Sequence, residues 1–199
     1  MANVSSIGNA TYGITFGDET LNVPTIPLRI GTLDHVLAAN NGEAGIRVLS
    51  NQSNDAPGWT LSHSTLYGNP VGLMMMPTNF ASQAVTVTDS IIAAASGTGV
   101  QVLSTLINPV TVRNSGLVTA GPDALSTPTD DSVNTPAAIV LDASVVDVDP
   151  VFASTDPTSN SFVDVRSTAY GGQGTSASDL SGWGDYIGDF VGIEAWRQF

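Results

Sequence analysis

The chain has no cysteine, no lysine and only three glutamates. Without cysteine no disulfide can staple the fold, so its stability has to come from packing and hydrogen bonds, and the redox compartment cannot be read. Five arginines face 15 aspartates and three glutamates, which leaves a net charge of −13. A surface this acidic repels phosphate backbones and anionic lipid, which argues against nucleic acid as a partner. Long apolar runs are missing too. None approaches the roughly 20 residues that cross a bilayer, so no membrane span is expected. The first residues, Met1-Ala2-Asn3-Val4-Ser5-Ser6, hold neither a basic stretch nor an apolar core, so no signal peptide is expected. Helical periodicity sustained over about ten residues is also absent.

What remains is a chain of 199 residues, 42% hydrophobic, with 20 glycines and 11 prolines. That is apolar enough for a core and rich in turn chemistry, which excludes global disorder. It also repeats. The segments Thr32-Leu33-Asp34-His35, Thr60-Leu61-Ser62-His63-Ser64, Thr86-Val87-Thr88-Asp89-Ser90 and Thr111-Val112-Arg113-Asn114-Ser115 superpose, and Val140-Leu141-Asp142-Ala143 fits more loosely. The anchors Leu33, Leu61, Val87, Val112 and Val140 lie 28, 26, 25 and 28 residues apart. A second series, Ile46, Leu73, Val100 and Leu125, follows its anchors by 12 or 13 residues, and glycine precedes the first three. The runs are short, rich in Val, Ile, Leu and Thr, and punctuated by Gly, Asn, Pro and Ser, which is strand and turn chemistry. A period near 26 is too short for propeller blades and lacks the leucine-rich consensus. Stacked parallel strands, one level per repeat, are the expected architecture.

The pattern apolar–x–apolar–x–(Asn/Asp/His)–Ser resembles the right-handed parallel β-helix of pectate-lyase-like proteins. So does the closing series Asp147-Val148-Asp149-Pro150-Val151-Phe152, Ser161-Phe162-Val163-Asp164-Val165 and Asp185-Tyr186-Ile187-Gly188-Asp189-Phe190. The resemblance covers roughly residues 30–190 and implies an all-β solenoid of about five to six turns with a C-terminal aromatic cap. The expected organisation is 1–30 as an N-terminal arm or irregular first turn, 31–150 as the repeats, and 151–199 as closing turn, cap and tail. That fold hosts lyases, hydrolases, adhesins and viral spikes alike, so it implies little about activity.

In stacked strands, equivalent residues form columns about 4.8 Å apart. His35, His63, Asp89, Asn114 and Asp142 form a polar column two residues after the anchors, expected at a tight bend as a structural ladder. A metal site or acid–base pair on the two histidines and the aspartate is the alternative. The ladder is preferred because Asn114 and Asp142 share the column. Of Met74, Met75 and Met76, one or two should fill the core. Among carboxylates, Asp130-Asp131 reads as part of a lateral loop and Asp147 and Asp149 as part of a closing turn. No catalytic, cofactor or metal site is therefore expected.

Eight of the 13 aromatics follow residue 150. Capping of the last level accounts for most of them. Trp183, Trp196 and Phe199 are the candidates for contact with another chain. The expected function is a non-enzymatic structural or adhesive module on the surface of an assembly, such as a virion decoration or spike. Its partners would be other chains of a homo-oligomer or particle, and its location a virion or extracellular surface. The alternatives are a small carbohydrate-active lyase or hydrolase, and a carbohydrate- or ice-binding module using the threonine column Thr32, Thr60, Thr86 and Thr111. The scattered arginines and net charge argue against a polyanionic sugar substrate.

Overall fold

The structure, a computed structural model, describes residues 2–16, 32–50, 59–77, 85–94, 98–103, 110–119, 125–126, 139–159 and 162–163. Among these residues the chain is all-β, with no helix. The strands in order are β1 (Ala2–Ile7), β2 (Tyr12–Phe16), β3 (Thr32–Ala39), β4 (Ala44–Ser50), β5 (Trp59–Ser62), β6 (Thr65–Tyr67) and β7 (Val71–Pro77). They continue with β8 (Val85–Thr88), β9 (Ile91–Ala94), β10 (Thr98–Val102), β11 (Val110–Arg113), β12 (Gly116–Thr119), β13 (Leu125–Ser126) and β14 (Ile139–Leu141).

Among the described residues every strand pairing is parallel. The strands form a nine-stranded and a five-stranded sheet. The larger sheet divides at β3, where residues 32–34 pair with β5 and residues 37–39 with β6. Three ladders result. The first is β3-β5-β8-β11-β14, the second β1-β3-β6-β9-β12, and the third β2-β4-β7-β10-β13. One sequence repeat adds one strand to each ladder, as β5, β6 and β7 do before β8, β9 and β10.

The register follows the sequence columns. Leu33 pairs with Leu61, Leu61 with Val87 and Val87 with Val112, and all four side chains are fully buried. Ile46, Leu73, Val100 and Leu125 align in register in the third ladder, preceded by Ile14, and the side chains of Ile46, Leu73 and Val100 are fully buried. Ala38, Leu66, Ile92 and Leu117 supply the interior of the second ladder. Each large aliphatic so buried contributes on the order of 1.5–3 kcal/mol by area. Met75 lies in this core and Met74 points the other way, half-buried, as strand alternation requires. A glycine column, Gly13, Gly45, Gly72 and Gly99, precedes the third-ladder aliphatics. A Cβ on Gly45 would lie 2.9 Å from the Gly72 carbonyl oxygen and 2.7 Å from Asn69 Nδ2, so only glycine lets these levels close up.

The fifth anchor differs from the sequence expectation by one residue. Leu141, not Val140, pairs with Val112, while Val140 pairs with Thr111 and joins the threonine column. Ile139, beside Val110, is the buried residue of β14. Both Val140 (41%) and Leu141 (42%) are exposed, because β14 ends its ladder.

Within residues 1–30, expected as an arm or irregular first turn, residues 2–16 form β1 and β2, regular strands paired to β3 and β4. The described part of the closing segment lies along the outer face of the second ladder. Val146 bridges to Gly116, Phe152 packs edge-on against Tyr67 at 5.0 Å, and Phe162 and Val163 cluster with Leu37 and Ala39. These outward aliphatics are thereby buried, so that wall has a second layer rather than a wet face.

The register makes a paired prediction. Val87→Asp places an unpaired charge in the core and should cost about 4 kcal/mol or more, whereas Val140→Asp should change stability by no more than about 0.5 kcal/mol. Thermal melts of both variants against the parent check this.

Candidate functional site

Between the first and second ladders the chain turns on one residue per level. His35, His63, Asp89 and Asn114 occupy that place, with φ of 52°, 45°, 51° and 44°. These values are left-handed, and Asn, Asp and His are the side chains most often found there apart from glycine. The expected polar column is thus a bend for four of its five members.

After His63, Asp89 and Asn114 the next residue is a serine, which ties the levels together. Ser64 Oγ donates to the Ser62 carbonyl at 2.6 Å and accepts the Val36 N–H at 3.0 Å. Ser90 Oγ donates to the Thr88 carbonyl and accepts from Ser64 N–H, and Ser115 Oγ donates to the Arg113 carbonyl and accepts from Ser90 N–H. All three serines are fully buried, and each satisfies a backbone N–H of the preceding level that would otherwise be orphaned.

Asp142 does not belong to this column. The one-residue shift of β14 places it after Leu141, where its Oδ1 accepts from Ser144 N–H at 2.9 Å and Ser144 Oγ at 2.8 Å. This turn, chiefly through the backbone N–H, holds the exposed Asp142 carboxyl below its usual range. Ser144 in turn accepts the Asn114 N–H at 2.7 Å.

A second corner, between the second and third ladders, was not read from the sequence. Gly8, Asn40 and Gly68 are left-handed there, with φ of 71°, 54° and 67°. The next residues, Asn9, Asn41 and Asn69, stack. Asn41 N–H and Nδ2 both donate to Asn69 Oδ1 at 2.9 Å, and Asn9 N–H and Nδ2 both donate to Asn41 Oδ1. The available signal was the dipeptide series Gly8-Asn9, Asn40-Asn41 and Gly68-Asn69.

At the first corner the left-handed backbone brings two histidines and an acid together. Asp34 pairs with Ser62 across the ladder. His35 Nδ1–H donates to Asp34 Oδ2 and His63 Nδ1–H to Asp34 Oδ1, both at 2.9 Å, and Ser62 Oγ donates to Asp34 Oδ1 at 2.7 Å. A carboxylate only accepts, which fixes the proton on each Nδ1. The rings stack with centroids 5.2 Å apart and an interplanar angle of 23°. Burial pushes the Asp34 carboxyl up, but the hydrogen bonds from His63, Ser62 and His35 outweigh it and hold the group below its usual range. The three side chains stay 27–40% exposed. One nitrogen or oxygen ligand atom from each lies within 4.8 Å of the other two.

Asp89, the acid the sequence placed beside the histidines, is itself buried and accepts from Thr88 Oγ1 at 2.9 Å. Asp34 was overlooked as a site residue, although it precedes His35 directly. Asp149 Oδ1 accepts the Val151 N–H, as a turn residue does, and Asp147 is exposed. Asp130, Asp131, Trp183, Trp196 and Phe199 lie outside the described residues. Of the arginines, Arg47 sits over the Tyr12 ring at 4.3 Å from its centroid, and Arg113 is exposed near Asp142. The threonine column is real in register: Thr32, Thr60, Thr86 and Thr111 pair in succession.

Ser64→Ala removes the acceptor of the buried Val36 N–H and should cost about 1–3 kcal/mol. Chemical denaturation of the variant checks this, and an unchanged midpoint would show that water or another group replaces the hydroxyl.

A scan against protein-family models finds no match, and searches of curated proteins and of solved structures return no match either.

Proposed function

We propose that the three ladders are the walls of a right-handed parallel β-helix of about five to six coils. In this reading the chain serves as a structural or adhesive module on the surface of an assembly, of the virion-decoration or spike type. The observation that carries this reading is the open end at β14. Among the described residues β14 has a ladder partner on one edge, and it presents Val140 and Leu141 to the outside. A parallel strand edge with exposed aliphatics is a template for further pairing unless something covers it. The aromatic-rich tail, with Trp183, Trp196 and Phe199, is the segment suited to that contact, within the chain or with a neighbour. Buried corner ladders of serine and asparagine support the same reading, since they spend polar groups on rigidity.

Carbohydrate binding is the second reading, and one feature favours it. An open groove of about 710 Å³ runs between the second ladder and the closing segment, lined by Tyr67, Ala93, Val118, Asp149, Phe152 and Thr155. An aromatic ring beside a carboxylate and a hydroxyl is a surface that suits neutral sugars.

Light scattering on the purified chain, and mass spectrometry of native particles, test the assembly reading. The full chain should run above its monomer mass of 20.4 kDa or co-purify with a particle. Deletion of residues 195–199 should keep the β-sheet signal and abolish association. A stable monomer found in no particle, or one that releases reducing ends or unsaturated products from a polysaccharide panel, would overturn it.

A further inference from the structure

The chain contains two histidines in 199 residues, and they stand in one cluster although 28 residues separate them in sequence. The backbone explains a left-handed-tolerant residue at each of these places, and Asn114 or Asp89 would serve as well. It does not explain imidazole twice at neighbouring levels. Asp34 stands at the outward position that Ser62, Thr88 and Arg113 take at the next levels, and its carboxylate accepts from both rings. Three independent positions therefore converge on a nitrogen, nitrogen and oxygen donor set.

We propose that Asp34, His35 and His63 form a binding site for a divalent transition-metal ion of the zinc class. Two imidazoles and one carboxylate match the donor preference of zinc, whereas calcium and magnesium select oxygen alone. Tetrahedral bonds of about 2.0–2.1 Å put neighbouring ligand atoms roughly 3.3 Å apart. One ligand atom from each of the three residues already lies within 4.8 Å of the other two, with His35 Nδ1 2.9 Å from Asp34 Oδ2 and His63 Nδ1 2.9 Å from Oδ1, so side-chain rotation alone can bring them onto one ion. The neutral rings then carry their protons on Nε2, the proton moving from Nδ1 through solvent, and the freed Nδ1 lone pairs bind the metal. Ser62 Oγ, already 2.7 Å from Asp34 Oδ1, orients the carboxylate from behind. The partial exposure of the three side chains leaves a coordination position to water or to a donor from a neighbouring chain. The surrounding charge of −13 raises the local concentration of cations. Bound metal would clasp β3 to the β5–β6 corner, and so one level to the next. The proposal does not depend on the assembly reading.

Zinc titrated calorimetrically into the metal-free full chain, in excess magnesium, tests it. One saturable site per chain is expected, with zinc raising the melting temperature. His35→Asn and His63→Asn keep a residue that tolerates the left-handed corner, so the metal-free melts should stay close to the parent. Each should weaken zinc binding at least tenfold and lose the zinc-dependent rise. Asp156→Ala, an exposed acid elsewhere, should bind as the parent does. Because the chain has two histidines, their imidazole NMR signals give a second readout on the unmodified protein, and zinc should shift both. Absence of a one-to-one site, parent-like affinity in the asparagine variants, or imidazole signals that do not move would overturn the proposal.

Discussion

Parallel strands can stack level upon level only if the chain turns at the same residue each time. The left-handed corner supplies that condition here. A single residue with φ near 50°, repeated at four levels, sends the chain from the first ladder into the second. At the second, third and fourth levels the following serine then hands its oxygen to the N–H of the level before it and its proton to a carbonyl of its own level. Every corner is thus both bent and tied. A slip of one residue would expose one interior column and bury the outward threonines, which is why the register is so strongly specified. The second corner repeats the logic with a left-handed Gly or Asn and a stacked asparagine. With the corners fixed, the aliphatic columns have no choice but to meet in the interior.

The same corner geometry generates the candidate site. A left-handed residue at the edge of a ladder sets its side chain beside the residue one position earlier. At the first two levels this sets His35 and His63 against Asp34, with the carboxylate shared between two rings. At the third level the corner holds Asp89, which turns onto Thr88 instead. The backbone is therefore constant and the chemistry is local, so a functional group can vary along the stack without cost to the fold.

The interior columns were readable because an aliphatic every 25 to 28 residues has one simple explanation, and so was the polar bend, since Asn, Asp and His share tolerance of positive φ. The anchor Val140 was misplaced because the polar stretch before it, with Asp130 and Asp131, lengthens the interval, and spacing alone cannot tell Val140 from Leu141. The asparagine corner was missed because its markers are the common dipeptides Gly-Asn and Asn-Asn, spaced unequally. Asp34 was missed for a different reason. It lies on an outward strand position where an acid is ordinary, and only the pairing with Ser62 and the turn at His35 bring it to both rings. The flank position of Phe152 and Phe162 was likewise hidden, since aromatics beyond a repeat suit an end cap equally well.

The dependence of the whole stack on left-handed corners is tested most directly at Asn114, a half-buried corner residue with φ of 44°. Asn114→Gly should melt within a few degrees of the parent, because glycine adopts this conformation freely. Asn114→Val should cost about 1–2 kcal/mol, or roughly 2–8 °C in melting temperature for a chain of this size. Equal melting temperatures for the glycine and valine variants would contradict the account, because the corner would then not be left-handed.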